Sequence, residues 1–151
     1  MNTILVICTA NVCRSPMAEA LFKQALPEAR VLSAGIDAVH GMRADPRVVE
    51  LLESEGLHLG EHRSQPLFSW MIEASWPVLV MSERQKRVIE HRHPAARGRV
   101  FRLLKESDIG DPYRKGAEAY RVTHRSISEG VERWSWHLSR IDAEAKLGVC
   151  A

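Results

Sequence analysis

Residues 3–19 constrain the fold most, because a buried strand, a short loop and a helix start follow one another directly. Residues 3–7 (TILVI) form a short apolar run rich in β-branched side chains, typical of a parallel strand buried on both faces. Ser15 and Pro16 predict a helix start, with Ser15 as the N-cap and Pro16 at the first helical position. The loop between strand and helix carries Cys8 and Arg14 in Cys-x5-Arg spacing.

This loop is predicted to bind an anion. Backbone N–H groups at a helix N-terminus point outwards unpaired, and the helix dipole adds positive potential there. Arg14 adds a planar guanidinium that can hold two phosphate oxygens, and Asn11 tolerates the left-handed backbone that a tight anion-binding loop needs. We expect this positive field to hold Cys8 as a thiolate, the nucleophilic form. On spacing alone, a structural strand-end cysteine with an arginine capping a neighbouring group is the open alternative.

Residues 8–19 (CTANVCRSPMAE) resemble the signature loop of the low-molecular-weight protein tyrosine phosphatases, which carry their nucleophile near the N-terminus. Ala10 departs from that pattern, in which glycine is usual, and its Cβ restricts the backbone. The resemblance covers the chain to about residue 141 and is to the bacterial type of the family. It implies that the loop binds phosphate. The implied phosphate-binding residues are Thr9, Ala10, Asn11, Val12, Cys13, Arg14 and Ser15.

Length and composition predict one domain, residues 1–151, with a substantial core. The chain is 45% hydrophobic and 26% charged, and its formal net charge is only +2, so nucleic-acid binding is not expected. No apolar stretch is long enough to span a membrane and no signal-peptide core is present, which makes a cytoplasmic location the default expectation. Three cysteines make no disulfide framework.

Strands and helices are predicted to alternate along the chain, which indicates an α/β protein with a four-stranded parallel sheet. The predicted strands span residues 3–7, 30–34, 76–81 and 99–103. The predicted helices span residues 17–26, 45–56, 66–74, 82–93 and 116–141, and the tail beyond about 141 is expected to be frayed. The family resemblance implies the strand order 2-1-3-4 with helices on both faces, a Rossmann-like arrangement. Ligands bind such sheets beyond the strand C-terminal ends, where the loop after Cys8 is expected.

A thiolate that attacks a phosphate ester needs a carboxylic acid opposite it to protonate the leaving oxygen. Asp111 is the best candidate, because its loop follows the last strand and Pro112 stiffens the turn. From the residues alone, an Asp-Pro turn without a catalytic role is equally possible, as at 45–46. The resemblance favours the catalytic interpretation, since the family carries its acid on Asp-Pro in this late loop and residues 108–113 (DIGDPY) resemble its bacterial members.

The wall of the substrate site is expected in two loops. By analogy with the family, Tyr113 would stack on the substrate ring, whereas a loop aromatic packed on the last helix is the alternative. The loop at 37–41, with His40, would form the other part of the wall.

Further side chains are expected to support the loop. Ser15 can hydrogen-bond the sulfur of the nucleophile and stabilise it as a leaving group. The resemblance implies that Asn11 holds the loop through side-chain hydrogen bonds, with Ser33 and His62 as neighbours.

A redox role is implied for the second cysteine of the loop. The family pattern implies a reversible Cys8–Cys13 disulfide that protects the nucleophile from over-oxidation. A buried small hydrophobic residue is the alternative for Cys13, and Cys150 is given no role.

The resemblance therefore implies a protein tyrosine phosphatase that acts through a cysteinyl phosphate, with Cys8, Arg14 and Asp111 as catalytic residues. Its expected partner is a phosphotyrosine-containing protein, with bacterial tyrosine kinases as candidates, and not a nucleic acid or a membrane. No cofactor or metal is expected, because Arg14 and the backbone supply the positive charge. The alternatives are an arsenate reductase of the same fold and a phosphopeptide-binding module without catalysis.

Overall fold

A computed structural model describes residues 3–148. In this range one parallel sheet has the strand order β2-β1-β3-β4, with β1 (Thr3–Cys8), β2 (Val31–Gly35), β3 (Ser75–Val80) and β4 (Val100–Arg102). The helices are α1 (Arg14–Ala25), α2 (Pro46–Glu53), α3 (Ser69–Glu73), α4 (Glu83–Arg92) and α5 (Ala117–Lys146), with a short 3-10 turn at Pro94–Ala96. The predicted fold class and the strand order 2-1-3-4 are confirmed.

Helices cover both faces of the sheet. Successive side chains of β1 point to opposite faces, so Ile4 and Val6 pack in one apolar cluster and Leu5 and Ile7 in another. The first cluster contains buried side chains of α1, α2 and α5, and the second contains those of α3 and α4. Burial on both faces explains why β1 is a continuous apolar run.

The strand order reverses beside the C-terminal end of β1. The chain passes from β1 to its neighbour β2 on one side and then crosses to β3 on the other side of β1. In open parallel sheets the crevice at such a reversal is where ligands bind. The loop that follows Cys8 begins at this point.

Helix α1 begins at Arg14, and Cys13 occupies its N-cap position without a side-chain capping bond. The prediction that Ser15 caps this helix is therefore wrong. The Ser15 hydroxyl is turned into the preceding loop instead, where it lies 3.0 Å from the Cys8 sulfur. At α4, by contrast, a serine does cap the helix, because Ser82 accepts a hydrogen bond from the backbone N–H of Gln85.

Helix α5 continues to Lys146, so the predicted helix end near residue 141 is wrong. Residues 142–146 (DAEAK) are mostly strong helix formers, and Lys146 pairs with Asp142 one turn earlier at 3.3 Å. The predictions for the end of the tail, residues 149–151, lie outside the described residues. Although α5 has 30 residues, neither it nor any other helix between residues 3 and 148 combines the length and apolar character that a membrane span requires.

Candidate active site

The sulfur of Cys8 lies at the C-terminal end of β1 and lines a cleft of about 1070 Å³. The residue is only 3% exposed. The Asn11 backbone N–H donates to the sulfur at 3.3 Å, and the Ser15 hydroxyl lies 3.0 Å from it. Two polar groups, the Asn11 N–H and the Ser15 hydroxyl, thus lie at hydrogen-bond distance from a sulfur that lines the cleft.

Asn11 sets the shape of the loop. Its φ is +57°, the left-handed region that asparagine tolerates better than most residues. The buried side-chain amide donates to Ser15 Oγ at 2.8 Å and to Ser33 Oγ at 2.9 Å, and its oxygen accepts from the Gln65 backbone at 2.9 Å. The side chain of this residue is therefore held by three hydrogen bonds, and the expected neighbour Ser33 is in contact with it.

A second layer of polar side chains supports Asn11 from behind. His62 Nε2 lies 2.7 Å from the Asn11 carbonyl oxygen, and because a carbonyl can only accept, the ring N–H donates this hydrogen bond. Ser33 donates to the Glu19 carboxylate at 2.6 Å, and His62 Nδ1 lies 3.9 Å from the same carboxylate. Sequence analysis missed Glu19, although its position four residues after Ser15 puts both on one face of α1.

Arg14 connects the loop to the opposite side of the cleft. Arg14 is buried, with 7% of the residue exposed, and its guanidinium donates to the Ile109 carbonyl at 2.8 Å and lies 4.0 Å from a carboxylate oxygen of Asp111. The Asp111 side chain is half exposed and accepts a hydrogen bond from the Tyr113 backbone at 3.1 Å. The structure therefore brings the three predicted catalytic residues, Cys8, Arg14 and Asp111, to one cleft.

Cys13 lies in the same loop and is buried. Burial raises the pKa of its thiol far above the ordinary range, and the nearby Cys8 and Asp45 raise it further, against a smaller lowering by Arg14. Cys8 and Cys13 are both free thiols in this structure. The disulfide between them stays a prediction.

The two predicted wall loops contribute differently to the cleft. Tyr113 is 56% exposed and lines the cleft, with the Arg114 guanidinium 5.2 Å from its ring centroid. His40 is exposed and does not line the cleft. The lining residues of its loop are Asp37, Val39, Gly41, Met42 and Arg43.

A buried tyrosine closes the cleft on the side of α5. The Tyr120 hydroxyl donates to the Asp45 carboxylate at 2.6 Å, and the same carboxylate caps α2 by accepting from the Arg47 backbone at 2.9 Å. The Asp45 backbone N–H donates to the Val12 carbonyl at 2.8 Å. Burial raises the pKa of Tyr120, and its hydrogen bond to Asp45 raises it further. Sequence analysis assigned Asp45 only to a helix start, because Tyr120 is 75 residues away.

Comparison with known proteins identifies the family. The model of the family described as low molecular weight phosphotyrosine protein phosphatase matches residues 3–146. The chain is 46% identical over 136 residues to a probable low molecular weight protein-tyrosine-phosphatase, EpsP, of Ralstonia nicotianae. That alignment covers 89% of this chain and 94% of EpsP.

Solved structures of phosphatases have the same fold. The tyrosine phosphatase Wzb of Escherichia coli K30, solved with sulphate, has a TM-score of 0.86 and 34% identity, and the match covers 91% of this chain and 98% of Wzb. The YwlE arginine phosphatase of Geobacillus stearothermophilus has a TM-score of 0.90 and 33% identity, covering 95% and 97% of the two chains. Because the family model and these relatives span nearly the whole chain, this protein belongs to the low molecular weight phosphotyrosine protein phosphatase family, a family of enzymes.

Proposed function

We propose that this protein hydrolyses phosphotyrosine in proteins through a cysteinyl-phosphate intermediate. Cys8 is the nucleophile, Arg14 holds the phosphate, and Asp111 is the general acid and then the general base. The observation that supports this most is the convergence of these residues on one cleft, with Arg14 4.0 Å from Asp111 and with the Asn11 N–H and the Ser15 hydroxyl at hydrogen-bond distance from the Cys8 sulfur.

In the first half-reaction the thiolate attacks phosphorus. A sulfur–phosphorus bond forms, the bond from phosphorus to the tyrosine oxygen breaks, and the Asp111 carboxylic acid gives its proton to that oxygen. The Arg14 guanidinium and the backbone N–H groups of residues 9–15 stabilise the charge on the transferred phosphoryl oxygens. The Arg14 guanidinium is held in place before substrate arrives, since it already donates to the Ile109 carbonyl at 2.8 Å.

In the second half-reaction water attacks the cysteinyl phosphate. The Asp111 carboxylate accepts a proton from this water, the sulfur–phosphorus bond breaks, and inorganic phosphate leaves. The sulfur departs as a thiolate, which the Ser15 hydroxyl at 3.0 Å and the Asn11 N–H at 3.3 Å stabilise.

Phosphotyrosine is the substrate that the cleft wall supports best. Tyr113 offers an exposed aromatic face beside Asp111, where the ring of a substrate tyrosine can stack. The partner is then a phosphotyrosine-containing protein, with bacterial tyrosine kinases as candidates. EpsP and Wzb, which this chain resembles, are named as tyrosine phosphatases.

The two alternatives have weaker support. Arsenate reduction needs further cysteines to relay a disulfide, and the chain has none between Cys13 and Cys150. A binding module without catalysis does not explain why the Asp111 carboxylate lies 4.0 Å from the arginine that holds the phosphate. Unless Asp111 is protonated, its carboxylate would repel the bound anion.

The test compares wild type with Cys8→Ser on p-nitrophenyl phosphate, a phosphotyrosyl peptide and a phosphoarginine peptide. We expect the wild type to turn over the first two and prefer phosphotyrosine to phosphoarginine. Cys8→Ser should lose turnover and keep phosphate binding, which also serves as the folding control. Preference for phosphoarginine would assign the specificity of YwlE instead, and thioredoxin-dependent arsenate reduction would support the reductase.

A further inference from the structure

The acidic side chains of the cleft already have partners within the protein. Asp37 pairs with Arg92 at 3.5 Å, and Asp45 accepts from the Tyr120 hydroxyl at 2.6 Å. Asp111 lies beside the phosphate-holding guanidinium. Two of these carboxylates therefore face a cation and the third accepts a hydrogen bond from a neutral hydroxyl before any substrate binds.

Three arginines of the cleft, called here the rim arginines, have no carboxylate partner among the residues that the structure describes. Arg43, Arg47 and Arg114 line the cleft, and all three are exposed. Within residues 3–148 none of them lies at ion-pair distance from a carboxylate. Arg47 and Arg114 lie over aromatic rings, at 5.4 Å from the Tyr120 centroid and 5.2 Å from the Tyr113 centroid. These cation–π contacts place each guanidinium against an aromatic face and leave it without a carboxylate partner.

The rim arginines surround apolar surface. Val39 is 68% exposed and Met42 is 53% exposed, and both line the cleft together with Tyr113. This mixture suits an extended segment of protein, whose backbone and aliphatic carbons cover the apolar side chains while its charged ends reach the guanidinium groups.

We propose that the rim arginines select phosphoprotein segments in which acidic side chains flank the phosphotyrosine. The proposal rests on the proposed function, because it concerns residues next to the hydrolysed phosphate. Arg14 and the loop amides neutralise the phosphate itself, so Arg43, Arg47 and Arg114 remain for the carboxylates beside it. A lysine at the same place in the segment meets like charge.

The test measures kcat/KM on three phosphotyrosyl peptides that differ only in having glutamate, glutamine or lysine on both sides of the phosphotyrosine. We expect the wild type to prefer the glutamate over the glutamine peptide by about tenfold, the size that a few exposed ion pairs contribute together. The triple variant Arg43→Gln, Arg47→Gln, Arg114→Gln should reduce this ratio to near one. The charge-conserving variant with lysine at all three positions should keep most of it.

A matched control removes the same charge elsewhere. Arg30, Arg97 and Arg125 are exposed and do not line the cleft, so their replacement by glutamine should leave the ratio as in wild type. The wild-type preference should also fall with salt, since the screening length shrinks from about 30 Å at 0.01 M to about 8 Å at 0.15 M.

Equal kcat/KM for the glutamate and glutamine peptides in wild type would overturn the proposal. A preference lost equally in the control triple would also overturn it, since bulk charge would then explain the effect. If the triple variant does not fold, the single variants Arg43→Gln and Arg114→Gln each test the same ratio. Failure of the proposed function gives a different result, because wild type would then turn over none of the three peptides.

Discussion

At the scale of single residues, Asp111 is where proton transfer can be tested most cleanly. Its side chain is half exposed and has one backbone donor, the Tyr113 N–H, so Asp111→Asn changes little packing. We expect a fall of about 10²–10⁴ in kcat, the usual contribution of general acid–base catalysis. The loss should be larger for alkyl phosphates than for p-nitrophenyl phosphate, because a good leaving group needs less protonation. An equal loss across leaving groups would argue that Asp111 only positions the site.

Cys13 is the residue that tests redox protection. Its thiol lies in the loop of the nucleophile, and oxidation of Cys8 to a sulfenic acid gives Cys13 a partner for a disulfide, with water as the leaving product. We expect wild type treated with peroxide to regain activity with dithiothreitol, whereas Cys13→Ser stays inactive because Cys8 oxidises further. The activity of untreated Cys13→Ser is measured as the control for the effect of the substitution itself. Equal recovery of activity by both proteins would contradict a protective Cys8–Cys13 disulfide.

The residues that the sequence could predict are those linked by local spacing. Cys8, Asn11 and Arg14 lie within one short loop, and Asp111 was chosen through the family resemblance. Glu19 and Tyr120 could not be predicted, because their roles depend on partners that only the folded chain brings near. These side chains support the loop and the cleft wall through contacts between distant segments.

At the scale of elements, the end of β2 is packed directly under the phosphate loop. A Cβ on Gly35 would lie 2.7 Å from the Thr9 carbonyl oxygen and 2.9 Å from the Ala10 carbonyl carbon. Both are backbone atoms, so they cannot rotate away. We expect Gly35→Ala to destabilise the fold by about 1–3 kcal/mol and to lower kcat/KM by at least about tenfold, because the loop must shift.

Gly60→Ala is the matched control for that substitution. A Cβ on Gly60 has nothing within 4 Å, and its φ is not in the left-handed region. Stability is measured by urea unfolding and kcat/KM with p-nitrophenyl phosphate. If Gly35→Ala has the same stability and kcat/KM as wild type and Gly60→Ala, β2 does not hold the loop.

The hydrogen bond between Tyr120 and Asp45 joins α5 to the start of α2. Tyr120→Phe should lower the free energy of unfolding by about 1.5–3 kcal/mol, since a bond to a carboxylate is lost from a buried site. Because the pKa of Tyr120 is raised in the folded protein, its contribution is complete below the ordinary phenol pKa of about 10 and declines as pH rises above it. The difference between wild type and variant should therefore narrow above about pH 10. Tyr113→Phe, at an exposed site, is the control, and a pH-independent difference would contradict the assignment.

The types of the elements were predictable because they follow from local features, namely apolar runs and the residues that start or end helices. The buried faces and the exact ends of some helices were not predictable. On α5 the apolar Val122 is exposed, whereas Thr123 is buried with its hydroxyl 3.4 Å from the Gly110 carbonyl. Gly130 lies so close to Leu103 that a Cβ would meet its carbonyl oxygen at 2.9 Å. These approaches between α5 and the loop after β4 fix the rotation of the helix, and no pattern within α5 encodes them.

At the scale of the whole molecule, the parallel sheet brings together groups that are far apart in the chain. Cys8 ends β1 and Asp111 lies in the loop after β4, and strands that run in the same direction bring both to one edge of the sheet. The sequence indicated this edge through its alternating strands and helices, and the family resemblance supplied the order 2-1-3-4. How closely the two loops approach could not be predicted, because it depends on contacts such as the bond from Arg14 to the Ile109 carbonyl.

The central claim is that the Cys8 sulfur carries the phosphoryl group during turnover. The direct measurement is rapid acid quenching of wild type and Asp111→Asn during turnover of p-nitrophenyl phosphate, followed by peptide mass spectrometry. We predict one added phosphoryl group on the peptide that contains Cys8, with greater accumulation in Asp111→Asn and none in Cys8→Ser. Turnover without any phosphoryl group on Cys8, or with the group on another residue, would contradict the account.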